Sequence, residues 1–184
     1  VQKVSTAKKL KLIHDYVVKT YSYRNNSHIL SAAATNETRS VGYLMTHKEG
    51  CCESYARMIK ILCDYYQIPC VTVYSLTHMW NQVKIGNQWY LLDATWDDEE
   101  PVVYTYFLKG AKSVIDEHHI VTSMFFSDCQ GNGIKDYANY SVPTLSKDDY
   151  VEPVNPTPNN SQTAPKKSKA VTSATKGKVV YAIS

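Results

Sequence analysis

No run of eighteen apolar residues occurs in this 184-residue chain, so no segment reads as a membrane-spanning helix. CxxC pairs are missing too. The five cysteines stand at 51, 52, 63, 70 and 129, a spacing that suits neither a zinc site nor a disulfide framework, and the odd count leaves a thiol over. Nothing resembles a phosphate-binding loop or a metal-ligand cluster, so neither a metal nor an organic cofactor is expected. Phenylalanine is scarce: three residues against fifteen tyrosines point to strands and grooves whose aromatic rings keep a wet edge. Acidic residues are absent from 153–184, which hold five of the twenty lysines and arginines. Without those five, residues 1–152 carry fifteen basic against seventeen acidic side chains, a balance of −2, so the formal net charge of +3 belongs to the tail.

The tail, residues 153–176, contains four of the seven prolines with serine and lysine and almost no apolar residues, and it reads as an extended linker. Its lysines are dispersed and lack interleaved aromatics, so a solvated spacer is expected and no nucleic-acid partner. Residues 177–184 return to strand-like composition, as a strand or the start of a following module. The chain begins at Val1, which reads as a processed or excised piece. Residues 1–152 form the expected folded domain, with 43% hydrophobic residues in the whole chain to supply its core.

The stretch EGCCESYARMIKILCDYY organises that domain. Counting from Cys52, Tyr55, Ala56, Ile59, Leu62, Cys63 and Tyr66 recur at intervals of three and four, one apolar stripe of a helix. Gly50 lets the chain enter sharply, which leaves Cys51 and Cys52 near amide hydrogens that favour a thiolate. A second stretch, HMWNQVKIGNQWYLLDATWDD, holds two alternating runs around Gly86 and Asn87, the pattern of a tight hairpin. With those two as the central turn residues, Ile85 faces Gln88, Trp80 faces Asp93, and His78, Trp80 and Asp93 share one face. Asp93 is then diagonal to His78 and within reach of a hydrogen bond to it.

The run Gly50, Cys51, Cys52, Glu53, Ser54, Tyr55, Ala56, followed by HMWNQV and WYLLDATWDD, resembles the transglutaminase-like superfamily, circularly rearranged relatives of papain-type cysteine peptidases. The resemblance spans about residues 8 to 126 and keeps the order Cys, His, Asp. It implies Cys52 as nucleophile, His78 as base and Asp93 as the orienting carboxylate. Ser54 stands where glycine is common, Met79 where alanine is common, and Cys51 where valine is frequent. The resemblance also implies that the region before Cys52 forms part of an acyl-binding cleft, with Tyr21 and Tyr23 as candidate walls. Trp80, Asn81 and Trp96 are candidate supports of the site, the tryptophans equally able to pack the sheet against the cysteine helix.

Taken in order, Leu10, Ile13, His14, Val17 and Val18 predict a helix over 6–20 capped by Ser5 or Thr6, with His14 at the edge of its stripe. Residues 21–49 have no clean period. A strand is expected from Cys70 to Ser75, others over Gln88 to Ala94 and around Tyr104 to Leu108, then a short helix over Ala111 to Asp116; VTSMFF reads as a last strand and DCQGNG as a turn, with Cys129 incidental. Asp97 and Asp98 read as turn and cap residues. Helices first and antiparallel strands afterwards give an α+β fold, a papain-like or transglutaminase-like core with the cysteine helix packed on the sheet.

The function expected is cysteine-dependent acyl transfer on amide groups of a protein or peptide, glutamine side chains included, through a thioester. Water as acceptor makes a protease or amidase, and an amine makes a transglutaminase. The alternative from a different class is an inactive binding module of a multidomain surface protein. The linker argues for export to the cell surface, and the unpaired cysteines argue for the cytoplasm. Oligomeric state leaves no mark on the sequence.

Overall fold

The computed structural model describes residues 4–24, 37–75, 77–114 and 142–153. Helix α1, Thr6–Thr20, starts where Ser5 accepts a hydrogen bond from the Lys8 amide, and it buries Leu10, Ile13, His14, Val17 and Val18. Helix α2, Val41–His47, is capped by Ser40 through the Tyr43 amide and ends at Lys48 in the left-handed region. Its one buried side chain is Leu44, which explains the lack of a periodic signal there. Helix α3, Cys52–Tyr65, buries Tyr55, Ala56, Met58, Ile59 and Cys63, so the stripe counted from Cys52 is the face it turns to the core.

Strands β1, Ser22–Tyr23, and β2, Glu49–Gly50, form a short parallel pair at the two ends of the region that has no clean period. Strand β3 is Cys70–Tyr74, β4 is Met79–Ile85, β5 is Gln88–Leu92 and β6 is Phe107–Lys109. They make an antiparallel sheet in the order β3-β4-β5-β6. Ile85 pairs with Gln88 across Gly86, whose φ of 59° is the conformation the turn requires, and the ladder runs outward to Asn81 opposite Leu92. The main core lies between the sheet and the helices, joining Leu10, Val17, Tyr55 and Ile59 to Val83, Tyr90 and Leu92. A smaller cluster of Val73, Trp80 and Leu91 forms separately. Alternation along a strand puts Trp80 and Leu91 on the face opposite Val83 and Leu92. Trp80 therefore packs away from α3, which corrects the reading in which it packs the sheet onto the helix.

Other boundaries differ for local reasons. β5 stops at Leu92 because the Asp93 carboxylate accepts the amides of Thr95 and Trp96, turning the chain out of the ladder before Ala94. β6 begins only at Phe107, and the register shifts at Leu91/Leu92. Residues 111–113 form a turn where a helix was expected. Two attachments had no sequence signal. His14, fully buried and not at an edge, meets Asp97 Oδ2 through Nε2 at 3.1 Å, joining α1 to the loop after β5. Residues 145–150 run along the sheet, with the Ser146 amide on the Trp89 carbonyl at 2.7 Å and the Tyr150 amide on the Leu108 carbonyl at 3.0 Å. Gly110 allows that approach, since a Cβ there would lie 2.4 Å from the Asp148 carbonyl. The expected elements at VTSMFF and DCQGNG, Cys129, the linker beyond Pro153 and the terminal strand lie outside the described residues.

Candidate active site

Cys52 occupies the first position of α3, and Cys51 is its N-cap in an extended conformation. The Cys51 amide donates to Ser54 Oγ at 3.0 Å while Ser54 Oγ donates to the Cys51 carbonyl at 2.9 Å, so serine locks the entry of the helix. Glycine at 50 is required by space: a Cβ would lie 2.2 Å from Ser54 Oγ and 2.8 Å from Leu44. Chain direction is thereby fixed, with Cys51 capping the helix and Cys52 opening its first turn.

Electrostatics divide unevenly across that pair. The Cys51 thiol is lowered to about 6 by its hydrogen bond with Cys52, with the amides of Glu53 and Ser54 adding to the effect against burial. The Cys52 thiol is pushed up, first by the bond with Cys51 and then by burial, with the Met79 amide acting in the opposite direction. The sequence led us to expect the helix terminus to favour a thiolate at both positions; it is the capping side chain, one residue earlier than the nucleophile candidate, that receives the free amides. Cys51 Sγ also lies 3.6 Å from the carbonyl of Thr38. Cys51 is buried, whereas Cys52 is partly exposed.

At the start of β4, His78 is fixed by a tight turn: its amide donates to Ser75 Oγ at 3.2 Å and its carbonyl accepts the Ser75 amide at 2.9 Å. Its Nε2 lies 2.5 Å from Asp93 Oδ2, the hydrogen bond that counting outward from Gly86 and Asn87 led us to expect. Asp93 is 1% exposed; besides His78 it holds the Thr95 amide at 2.9 Å and the Trp96 amide at 3.3 Å. Its own amide donates to the Tyr106 carbonyl at 3.1 Å. The imidazole is stacked at 18° on Trp80, centroids 5.9 Å apart, and tilted against Trp96 at 5.6 Å. Because the Met79 amide reaches the Cys52 sulfur, the residue after His78 links β4 to the head of α3.

The remaining candidates separate. Tyr23 feels the candidate residues: burial, then the negative charge of Cys52, Cys51 and Asp93, pushes its phenol up to about 12. Its ring meets Tyr55 edge-on at 6.3 Å. Tyr21, 4% exposed, belongs to the core. Asn81 is a tie between layers, donating to the Ala56 carbonyl at 3.0 Å and to Cys70 Sγ at 3.5 Å. Asp97 and Asp98 stand in the expected turn region but act as internal anchors. Asp97 holds His14 and the Tyr106 amide, while Asp98 accepts the Tyr55 hydroxyl at 2.7 Å and the Tyr23 amide at 3.2 Å. Sequence signals for these bonds did not exist, because each joins positions 9 to 83 residues apart.

Two surface cavities flank Asp98 and Glu99. One, of about 480 Å³, is lined by Thr95, Trp96, Thr105 and Tyr106, and the other, of about 500 Å³, by Tyr21, Ser22, Tyr23 and Val102 among others. Among the described residues no group of three or more His, Cys, Asp or Glu side chains is placed to hold a metal ion, and no helix is long and apolar enough to cross a membrane.

Comparison with known proteins gives three findings. No curated protein matches the chain significantly. Among solved structures, one described as "Crystal structure of a TGase" aligns with a TM-score of 0.44 and 13% identity over 50% of this chain and 27% of the other. A "Putative Cysteine Protease from Cytophaga hutchinsonii" aligns with a TM-score of 0.37 and 23% identity over 52% of this chain and 32% of the other, so this chain spans about a third or less of either. Residues 2–94, half of the chain and the part that carries Cys52, His78 and Asp93, match the model of the transglutaminase-like superfamily, and the chain belongs to that superfamily.

Proposed function

We propose that this protein is a cysteine-dependent acyl-transfer enzyme acting on amide groups of proteins or peptides, with Cys52 as nucleophile, His78 as acid and base, and Asp93 as the carboxylate that orients the imidazole. The observation that carries this reading is the 2.5 Å bond between His78 Nε2 and Asp93, made one residue from the amide that reaches the Cys52 sulfur. With Nε2 engaged, Nδ1 is the nitrogen that exchanges a proton with the thiol. The Cys52 thiolate attacks the amide carbon, the imidazolium protonates the leaving amine or ammonia, and a thioester remains. Asp93, held by two further amides, supports the imidazolium charge without moving. Tyr23 and Trp96 border the cleft, and the two cavities beside Asp98 supply room for the chain on either side of the reacting amide.

One observation favours the second reading, a binding module without activity: Cys52 is pushed toward its protonated form. Both readings meet in one experiment. The protein is incubated with a glutamine-bearing reporter peptide and casein, with and without a labelled primary amine, and Cys52→Ala serves as the blank. Amine incorporation lost in the blank identifies a transglutaminase, peptide cleavage a protease, and ammonia release alone a deamidase. Silence on a broad peptide library, together with a Cys52 no more reactive than a free thiol, establishes the binding module.

A further inference from the structure

Asp93 is held by its main chain as well as by its carboxylate. Its amide donates to the Tyr106 carbonyl at 3.1 Å, the Tyr106 amide donates to Asp97 Oδ1 at 2.9 Å, and the Asp97 amide donates to the Asp93 carbonyl at 3.3 Å. These three bonds close a ring through residues 93, 97 and 106 that contains both main-chain groups of Asp93. Its single side-chain member is the Asp97 carboxylate. The other oxygen of that carboxylate, Oδ2, meets His14 Nε2 at 3.1 Å, and both residues are 0% exposed. His14 is braced on its far side too: Nδ1 lies 3.3 Å from Asp15 Oδ1, and Asp15 is bound by Lys11 at 2.7 Å and by the Tyr104 hydroxyl at 2.9 Å. The rings of Tyr104 and Phe107 close on the imidazole at 5.3 and 5.2 Å. Tyr106 reaches the candidate base by a second route, since its ring meets Trp96 edge-on at 5.2 Å and Trp96 lies against His78.

We propose that His14 and Asp97 are positioning residues for the His78–Asp93 pair: helix α1, through the buried His14–Asp97 bond, sets where the Asp93 carboxylate stands. The inference rests on the reading of His78 as acid and base. Packing alone asks only for a side chain of suitable volume at 14, and an apolar one suits a fully buried position on the core face of α1. The position holds an imidazole aimed at a carboxylate instead. His14 Nε2 carries the proton of that bond, because a carboxylate oxygen only accepts. Without this donor, Asp97 keeps a buried oxygen unpaired and relieves it by turning away from the Tyr106 amide, which opens the ring. Hydrogen bonds weaken steeply with angle, so a small rotation of residue 93 then loosens the 2.5 Å bond to His78.

The test reads the proton between His78 and Asp93. The full chain, labelled with nitrogen-15 histidine, is followed by proton NMR at the downfield imidazole resonance that disappears in His78→Gln. His14→Leu keeps the bulk at position 14 and removes the donor, whereas His14→Gln sets an amide nitrogen where Nε2 stands. In His14→Leu the resonance should move upfield or be lost to exchange with water while unfolding stays cooperative, and in His14→Gln it should return toward its wild-type place. On any amide substrate that the protein turns over, kcat of His14→Leu should fall on the order of 10-fold with KM little changed. A cooperatively folded His14→Leu with the wild-type resonance overturns the proposal, and so does a shift of equal size in the Leu and Gln variants. If His14→Leu does not fold, the wild-type chain decides: the labelled His14 should show its proton on Nε2, and a bare Nε2 overturns the proposal. A resonance that moves as expected in a chain without acyl transfer would sink the proposed function and leave the positioning role standing, so the two failures are told apart.

Discussion

Cys51 and Cys52 are adjacent, and that single step along the chain decides which of them caps the helix and which opens its first turn. At the head of α3 the Cys51 thiol is the one lowered, to about 6, so the first ionisation of the two-cysteine segment lies there. Alkylation of peptide 49–57 by iodoacetamide should therefore rise as pH increases through about 6, well below the range of an ordinary cysteine. The adduct should sit on Cys52, the proposed nucleophile, which is half-buried where Cys51 is buried. Preferential labelling of Cys51, or equal slow labelling of every cysteine, sinks the assignment of the nucleophile. Asp97 makes a prediction about stability. It is fully buried and holds both His14 and the Tyr106 amide, so Asp97→Ala leaves two polar groups without their partner and should cost on the order of 3 kcal/mol in urea unfolding. A loss below about 1 kcal/mol would show that water replaces the carboxylate.

At the level of elements, two glycines illustrate different constraints. Gly86 has a φ of 59° and open space around its Cα, so Gly86→Val should strain the turn by about 1–2 kcal/mol without a clash, visible as a lower urea midpoint with an unchanged slope. Gly50 meets Ser54 and Leu44, so Gly50→Ala should shift the head of α3 and slow labelling of Cys52 as well as lowering stability. If Gly50→Ala alters the melting point alone, the glycine serves packing and leaves the thiols where they are. The hairpin was legible because its turn residues and its alternation agree, and Asp93 followed from counting. The extra bonds of Asp93 that end β5 were not legible, since they compete with the ladder only once the strand is in place.

For the molecule as a whole, the boundary of the folded part can be tested by truncation. The composition of 153–176 offers no apolar face, so a chain ending at Glu152 should melt at the temperature of the full chain, and limited proteolysis should cut first beyond it. A chain ending at Ser141 loses Leu145 beside Trp89 and Tyr150 against Tyr90, and its melting point should fall by about 5 °C or more. Equal melting of both truncations would mean that residues 142–152 add nothing to the sheet they cover.

The sequence by itself determined the local elements and their order: the capped helix at Thr6, the stripe from Cys52, the turn at Gly86 and the approach of Asp93 to His78. Each of these depends on periodicity, capping or turn chemistry within about twenty residues, where the chain's own geometry is sufficient. Tertiary structure alone decided that Trp80 packs away from α3, that His14 is paired with Asp97, that Tyr23 and not Tyr21 faces the thiols, and that the free amides serve Cys51. These depend on which elements meet across long stretches of chain. In a dense interior that meeting is settled by shape and by the need to satisfy buried polar groups, neither of which is written in a local pattern.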